Sequence, residues 1–448
     1  MKKRYAVVLI FVLALAVAVG AFLIFQQQKP TTTTLPDVSV SYNTTSEPET
    51  SAAPTTTEPT TAPPETTEPP VTQETVIDLD NLTLIDLLPL SLMGGDWDVK
   101  HCQGIAVDPA HNHIYYSYTS VLVKCDLDGN ILGTVSGFTG HLGDLALDDD
   151  GYLYASYYPT GRAGFYIVMF DTKKITKEDI SWKNTNVARS IYLKAVYDDY
   201  RYDVNGNGKF DGGNDGADHR FGCTGIDGLC FGPSFQKKGR GKKLLTAAYI
   251  IAGNEKRTDN DYQVLLQYDV EGWWDDFGKA TPGQGEKAHC SGPEKANGKY
   301  FVYTGNTYYG VQTMTYFDEL NVWILNTYKM VKSSFEPFYI FAVDGDLKPE
   351  KMQLKGQKKG VEGNVLALYQ AGDHDKKRDI YGWRTSFGTK GFDYAGSGLF
   401  YVVYPYKTWY GTQTAVAYLH IWDSGADCPF KLAADVGTDY IVGKIKRQ

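Results

Sequence analysis

The segment His101-Cys-Gln-Gly-Ile-Ala-Val-Asp108 returns forty residues later, without a gap, as His141-Leu-Gly-Asp-Leu-Ala-Leu-Asp148. The stretches after the two copies also match: HNHIYYSY (111–118) against DGYLYASY (150–157), then VLVKCDLDG (121–129) against FYIVMFDTK (165–173). One unit is thus a short strand of small residues, a turn, a Tyr-rich strand, a loop and a third apolar strand ending in Asp. Three weaker copies come later, at Asp227-Gly-Leu-Cys-Phe-Gly-Pro233, at Gln312-Thr-Met-Thr-Tyr-Phe317 with NVWILNTY (321–328), and at Gly391-Phe-Asp-Tyr394 with GLFYVVYP (398–405). A fixed repeat constrains the fold strongly, because one unit cannot bury its apolar faces alone and must stack on its neighbours.

About forty residues and several short strands per unit are the pattern of a β-propeller. The expected fold is therefore all-β, a five-bladed propeller over residues 76–448. Six blades is the alternative, with KYFVYTG (299–305) and GNVLALYQ (363–370) as extra strands. A β-sandwich lacks a forty-residue repeat. Composition agrees: 46 Gly and 33 Tyr beside only 6 Met favour short strands and turns over helices. Ring closure is expected to pair the segment from Val76 to Leu92 with the C-terminal unit. The units resemble NHL-type and gluconolactonase-type blades, in which a G-h-A-h-D strand precedes a Tyr-rich one. The resemblance is clear over 101–173 and faint beyond. It implies the propeller fold and brings a lactonase into view as one activity.

Residues 1–29 read as a signal anchor. Lys2, Lys3 and Arg4 flank an apolar run from Tyr5 to Phe25, about 21 residues, enough for a hydrocarbon core of about 30 Å. The basic flank keeps the N-terminus cytoplasmic and sends the remainder outside. A cleaved signal, which would leave the chain secreted, is the alternative. Residues 30–75 hold 16 Thr, 9 Pro and no Lys or Arg, an extended linker without core-forming periodicity. It resembles the Thr/Pro stalks of bacterial surface proteins. The formal charge of the chain is −9, which argues against a nucleic-acid partner, since few cations are available to replace phosphate counterions.

In a propeller the inner strands all start at one face, so residues near those starts converge on the central opening. Here these are His101, Gln103, His141, Asp144, Asp227, Gln312 and Lys390. Residues at the ends of second strands, Tyr118, Tyr157, Tyr158, Tyr249, Tyr328, Tyr404 and Tyr406, are expected at the rim. Tyr308, Tyr309, Trp383, Trp409 and Tyr410 join them from loops. Aromatic faces with a polar handle suit the C–H faces of sugars, although each Tyr singly is explained by strand packing. The candidate ligand-binding residues are Gln103, Gln312, Tyr158, Tyr309, Trp383 and Trp409. The candidate catalytic residues are His101, His141, Asp144 and Asp227, with His as base and the acids orienting it or a metal.

The most specific motif is Asp203-Val-Asn205-Gly-Asn207-Gly-Lys209-Phe-Asp211-Gly-Gly-Asn214-Asp215, inside an insertion at 197–222. It resembles the calcium loops of EF-hands and dockerins. That resemblance implies Ca2+ ligands from Asp203, Asn205, Asn207 and Asp211, with the backbone carbonyl of Lys209. At position twelve Asn214 stands where Glu is usual, and Asp215 comes one place late. No flanking helix pattern is evident. Six Cys in an exported chain suggest disulfides, with Cys223 and Cys230 closing the shortest loop. Cys125 and Cys230 read equally as buried thiols. The KKGRGKK run (237–243) is expected in a solvated hairpin on the opposite face.

These features favour a binding module that shows an aromatic funnel to an extracellular glycan or polymer. The alternatives are a propeller enzyme, either a glycan hydrolase or lyase or a lactonase, and a protein-interaction or adhesion scaffold. Fold alone does not choose between them. Protease added to intact cells is expected to release the globular part. Recovery of the whole chain only from cytoplasm would contradict the surface reading.

Overall fold

The computed structural model describes residues 88–434 apart from 161–163, 211–217, 238–240, 252–255, 278–290, 306–309, 329–335, 337, 386–387 and 426. The expected anchor (1–29) and linker (30–75) lie outside these residues, as do Tyr308, Tyr309, Asp211, Asn214 and Asp215. No helix among the described residues is long and apolar enough to cross a membrane.

Strand β1 (Ser91–Trp97) precedes the repeats. Blade 1 is β2 (Cys102–Asp108), β3 (His113–Tyr118), β4 (Val121–Asp126) and β5 (Ile131–Ser136). Blade 2 opens with β6 (Gly140–Leu147), β7 (Tyr152–Pro159) and β8 (Tyr166–Asp171). The short β9 (Ile180–Ser181) then edges blade 1, and β10 (Ala188–Tyr192) completes blade 2. Helix α1 (Lys194–Tyr200) leads into the polar insertion. Blade 3 is β11 (Cys223–Pro233), β12 (Lys243–Ile251), β13 (Tyr262–Tyr268) and β14 (Gly298–Tyr303). Blade 4 is β15 (Val311–Phe317), β16 (Val322–Thr327) and β17 (Ile340–Asp344). Strands β18 (Glu350–Gln353) and β19 (Glu362–Leu366) extend blade 3, while β20 (Asp373–Asp375) and β21 (Ile380–Gly382) make a separate hairpin. Blade 5 is β22 (Phe392–Gly396), β23 (Leu399–Lys407) and β24 (Gln413–Trp422), with β25 (Phe430–Leu432) beside β24.

The chain is thus a five-bladed propeller, and each repeat read from the sequence supplies one inner strand. The inner strands neighbour one another in a closed ring, β2–β6–β11–β15–β22–β2. The two segments offered for a sixth blade belong to blade 3: Gly298–Tyr303 is its outer strand, and Glu362–Leu366 pairs with that strand in parallel. Closure comes from β1, which pairs with β24 from Ser91↔Tyr418 to Trp97↔Gln413. The closing strand therefore sits later than the Val76–Leu92 segment expected. Tyr116 and Tyr118 of blade 1 bind it from the other side, donating their hydroxyls to the Leu92 and Gly94 carbonyls at 2.9 and 3.2 Å. The strand is thereby tied to the last blade through its backbone and to the first through two tyrosines.

Strand side chains alternate between faces, so each blade feeds the apolar layers on both sides of it. In β2, Ile105 and Val107 pack toward blade 5, while Ala106 packs toward blade 2. Both faces of a blade are covered, which explains the unbroken burial of β13, β15 and β16. The five described cysteines are free thiols, correcting the disulfide expectation. Cys223 and Cys230 lie on one extended strand at about 3.3 Å per residue. Seven residues of strand far exceed the ~7 Å Cα separation a bridge tolerates. Of the basic run, the described Lys237, Lys242 and Lys243 are exposed, and the last two pair with Asp269, Glu271 and Asp149.

Five inner strands leave little room on the axis. A Cβ on Gly104 would stand 2.7 Å from Asp144 Cα, one on Gly143 would stand 1.9 Å from Asp227 Oδ1, and one on Gly228 would stand 2.8 Å from Val311 Cγ1. Each glycine faces the next inner strand around the ring. Gly143→Ala is expected to destabilise the fold by roughly 1–3 kcal/mol, the range for overpacking a dense interior, measured by denaturant unfolding. An unchanged midpoint would contradict the close approach.

Candidate functional site

Each of the first four repeats carries a register shift near the start of its inner strand. Pairing with the second strand jumps between Cys102 and Gly104, Leu142 and Leu145, Ile226 and Leu229, and Val311 and Thr313. The residues lifted out of the ladder are Gln103, Gly143 with Asp144, Asp227 with Gly228, and Gln312. Bulges re-aim side chains in this way and recur next to binding sites. Four of the sequence-derived candidates are therefore bulge residues.

Asp144 is completely buried. Its Oδ2 accepts the backbone N–H of Leu229 at 2.9 Å and of Met314 at 3.0 Å, from two different blades. Its Oδ1 has no hydrogen-bond partner among the described residues. Burial pushes its carboxyl well above the usual range. Asp227, also buried, accepts from Ser156 Oγ at 3.3 Å, with the Asp144 backbone N–H beside it. Burial pushes it up to about 7, opposed by that N–H, by Lys390 and by Ser156. Asp144 is thus a tie between blades and not an open catalytic acid. Gln103 and Gln312 are buried as well.

His101 is exposed and His141 half-buried. The His141 ring stacks on Tyr158 at 5.0 Å. Burial, helped by Lys390 and His101, pushes His141 down to about 4, so it is neutral at physiological pH. Burial and Lys390 also lower His101. Lys390 Nζ donates to Tyr328 Oη at 2.7 Å. His101, His141, Asp227, Lys390, Tyr158 and Tyr328 therefore form one interacting group at the mouth where the inner strands begin. It offers neutral imidazoles, one ammonium, one buried carboxyl and two tyrosines.

The aromatic rim is partly corrected. Tyr118, Tyr157 and Tyr249 are buried between blades, and Trp383 packs at 5.3 Å from Trp422 in the layer between blades 4 and 5. Flat faces that sequence reading assigns to solvent are here consumed by the interblade layers. Tyr406 is exposed, and Trp409 and Tyr410, at the tip of the β23–β24 hairpin, are 97% and 89% exposed.

Sequence reading missed Asp393 and the opposite mouth. Asp393 accepts from Val107 N of blade 1 at 2.9 Å and from Thr315 Oγ1 of blade 4 at 2.8 Å. Burial pushes it up to about 6. It lines a cavity of about 410 Å³ with Thr315, Tyr394, Cys230 and Phe231. The signal that could have found it is a polar residue two places into a strand otherwise apolar, Phe392-Asp-Tyr394.

The described part of the calcium-type motif, residues 203–210, forms a tight turn. Asp203 Oδ1 accepts from Gly206 N at 2.6 Å and Asn207 N at 3.2 Å, and Oδ2 from Gly208 N at 2.7 Å. Asn205 and Asn207 side-chain oxygens accept from the amides two residues on, of Asn207 and Lys209. Gly206 and Gly208 have φ of +77° and +76°, which glycine alone adopts freely. Contrary to expectation, a helix does precede the loop: α1 ends at Tyr200. Its seven residues and uncapped Leu193 leave too little pattern to read. Among the described residues no group of three or more His, Cys, Asp or Glu is placed to hold a metal.

The chain matches no protein-family model and no curated protein. Solved structures similar to it include the Dos1 propeller, 11% identical, TM-score 0.27, over 74% of this chain and 69% of that one. A glucose dehydrogenase is 12% identical, TM-score 0.32, over 73% and 99%. A calcium-binding protein, regucalcin, from Agrobacterium tumefaciens is 11% identical, TM-score 0.28, over 75% and 97%. Likenesses this distant carry no argument about the chemistry of this chain.

The axial carboxyls predict a pH dependence. Their folded values, about 7 for Asp227 and about 6 for Asp393, lie above the unfolded value of 3.8. Their contribution to stability is complete below that value and is lost as pH rises through about 6 to 7. Between pH 4 and 7.5 the wild type should lose stability relative to Asp227→Asn, monitored by calorimetry. Parallel curves for the two proteins would contradict the assignment.

Proposed function

We propose that this chain is a surface-displayed binding propeller. The N-terminal segment and Thr/Pro stalk hold it to the cell membrane with the propeller outside. It binds an extracellular glycan or related polymer across the mouth where its inner strands begin. The observation that carries this reading is the group at that mouth: His141 stacked on Tyr158, with His101, Lys390 and Tyr328 beside it. Neutral imidazoles and an ammonium supply donors and acceptors for hydroxyls, while ring faces suit sugar C–H surfaces. Trp409 and Tyr410 stand exposed on a hairpin at the same strand end.

The purified chain is expected to bind on a glycan array. Tyr158→Ala should weaken that binding roughly tenfold, the ~1.4 kcal/mol scale of one well-packed contact. Trp409→Ala should weaken it several-fold. Retention of no glycan would turn the reading toward a surface-protein partner.

A second reading, an enzyme, draws support from one observation. Asp227 is pushed up to about 7 while His141 is pushed down to about 4, and both feel the Lys390 charge; opposed shifts often mark acid–base pairs. Against it, Asp227 is buried and its carboxyl is already held by Ser156.

Calcium in the 203–215 loop belongs to the same proposal. Three backbone amides hold the Asp203 carboxylate in the loop geometry that such sites use. In metal-stripped protein, calcium should raise the melting temperature by mass action on the folded state, and Asp203→Ala should abolish the rise. A melting curve indifferent to calcium would remove this assignment.

A further inference from the structure

Beside the polar insertion lies a second cavity, of about 490 Å³. It is separate from the axial mouth and within the size range of small-molecule sites, roughly 300–1,000 Å³. Its walls come from Tyr202 to Gly206, Arg220 and Phe221, Thr258 and Asp259, and the β18–β19 turn at Gly356 to Lys358. The turn is fitted closely, since a Cβ on Gly356 would stand 1.7 Å from the Thr258 carbonyl oxygen. Gln357 Nε2 donates to the Asp259 carbonyl at 2.6 Å.

The charges lining this cavity are not equally satisfied. The Asp259 carboxylate is gripped by Arg257 through Nε and Nη2 at 2.8 and 2.9 Å. The Asp203 carboxylate accepts three backbone N–H groups. Lys358 Nζ donates to the Val204 carbonyl at 3.4 Å. Arg220 is different. Its guanidinium lies over the rings of Tyr202 and Phe221, 4.7 and 4.8 Å from their centroids. Its side chain has no hydrogen-bond or ion-pair partner among the described residues. The two rings fix its plane but satisfy none of its five N–H donors.

We propose that this cavity binds a small carboxylate carried on a ring, with Arg220 as its recognition residue. A planar guanidinium matches a carboxylate in bidentate fashion. Stacking on two rings holds the fork in place before the ligand arrives, so little side-chain freedom is lost on binding. The Tyr202 ring, 46% exposed, supplies an apolar face for the ring of the ligand. Lys358 adds a second cation at the wall. The acids nearby do not compete, because their oxygens are already occupied by Arg257 and by backbone amides. The inference stands apart from the axial glycan reading and does not need a bound calcium.

The test is isothermal titration of the detergent-solubilised full-length chain with sodium glucuronate, sodium benzoate and glucose. The expected result is saturable binding of at least one carboxylate and none of glucose. Glucuronate binding identifies a sugar acid, and benzoate alone an aromatic acid. Arg220→Gln should weaken binding at least tenfold, and Arg220→Lys should recover part of it. If Arg220→Gln does not fold, Tyr202→Leu, at an exposed ring, should weaken binding several-fold. Absence of saturable binding by both carboxylates overturns the proposal. So does full affinity in a folded Arg220→Gln protein or, where that variant does not fold, in Tyr202→Leu.

Discussion

Two carboxyls, the fully buried Asp144 and the half-buried Asp393, stitch the ring together across its axis. Asp144 of blade 2 accepts backbone amides from blades 3 and 4. Asp393 of blade 5 accepts from blades 1 and 4. Ser117 of blade 1 completes the circuit, donating to the Gly143 carbonyl of blade 2 at 2.6 Å. A propeller of five blades brings its inner strands close enough for such ties, which give acceptors to the inner-strand amides of Leu229, Met314 and Val107. An unsatisfied buried N–H costs about 1–3 kcal/mol, so each amide held by these carboxyls is spared that cost. Apolar layers between blades supply the bulk of the burial, but they do not by themselves choose the register of one blade on the next.

The bulges also build the mouth. Gln103, Asp227 and Gln312 leave the ladder at equivalent levels, beneath His101, His141 and Lys390. Burial and the Lys390 charge then set the state of these groups: imidazoles neutral, Asp227 poised near neutrality. Structural and functional roles thus share one feature of the backbone, with Asp144 taking the first and the His141–Tyr158 pair offered for the second.

The architecture was legible because it repeats. Gly-Ile-Ala-Val-Asp108 and Asp-Leu-Ala-Leu-Asp148 place inner strands at a fixed interval, and even the fainter copies at Asp227, Gln312 and Gly391 each mark one blade. Convergence of His101, His141, Asp227 and Lys390 came from that topology. Burial did not. Tyr118 and Trp383 have the residue type of a rim but sit between blades, and a single sequence does not distinguish a ring facing solvent from one facing the next sheet. Asp144 and Asp227 look alike in sequence, yet one bridges two blades and the other lies beside the mouth. Arg220 is only a basic residue near the loop in sequence; that it has no hydrogen-bond or ion-pair partner among the described residues is a property of three-dimensional neighbours. Helix α1 was hidden by its two-turn length.

The ring depends most heavily on Asp144, and removal of that carboxylate tests the dependence directly. Equilibrium unfolding of Asp144→Ala and Asp144→Asn separates the acceptor from the acid. Alanine leaves the Leu229 and Met314 amides buried without an acceptor, so it should cost several kcal/mol at ~1–3 kcal/mol per amide. Asparagine keeps a side-chain oxygen and should stay within about 1.5 kcal/mol of wild type, the scale of a single net hydrogen bond. An alanine variant as stable as wild type would mean that the ring holds without its axial tie.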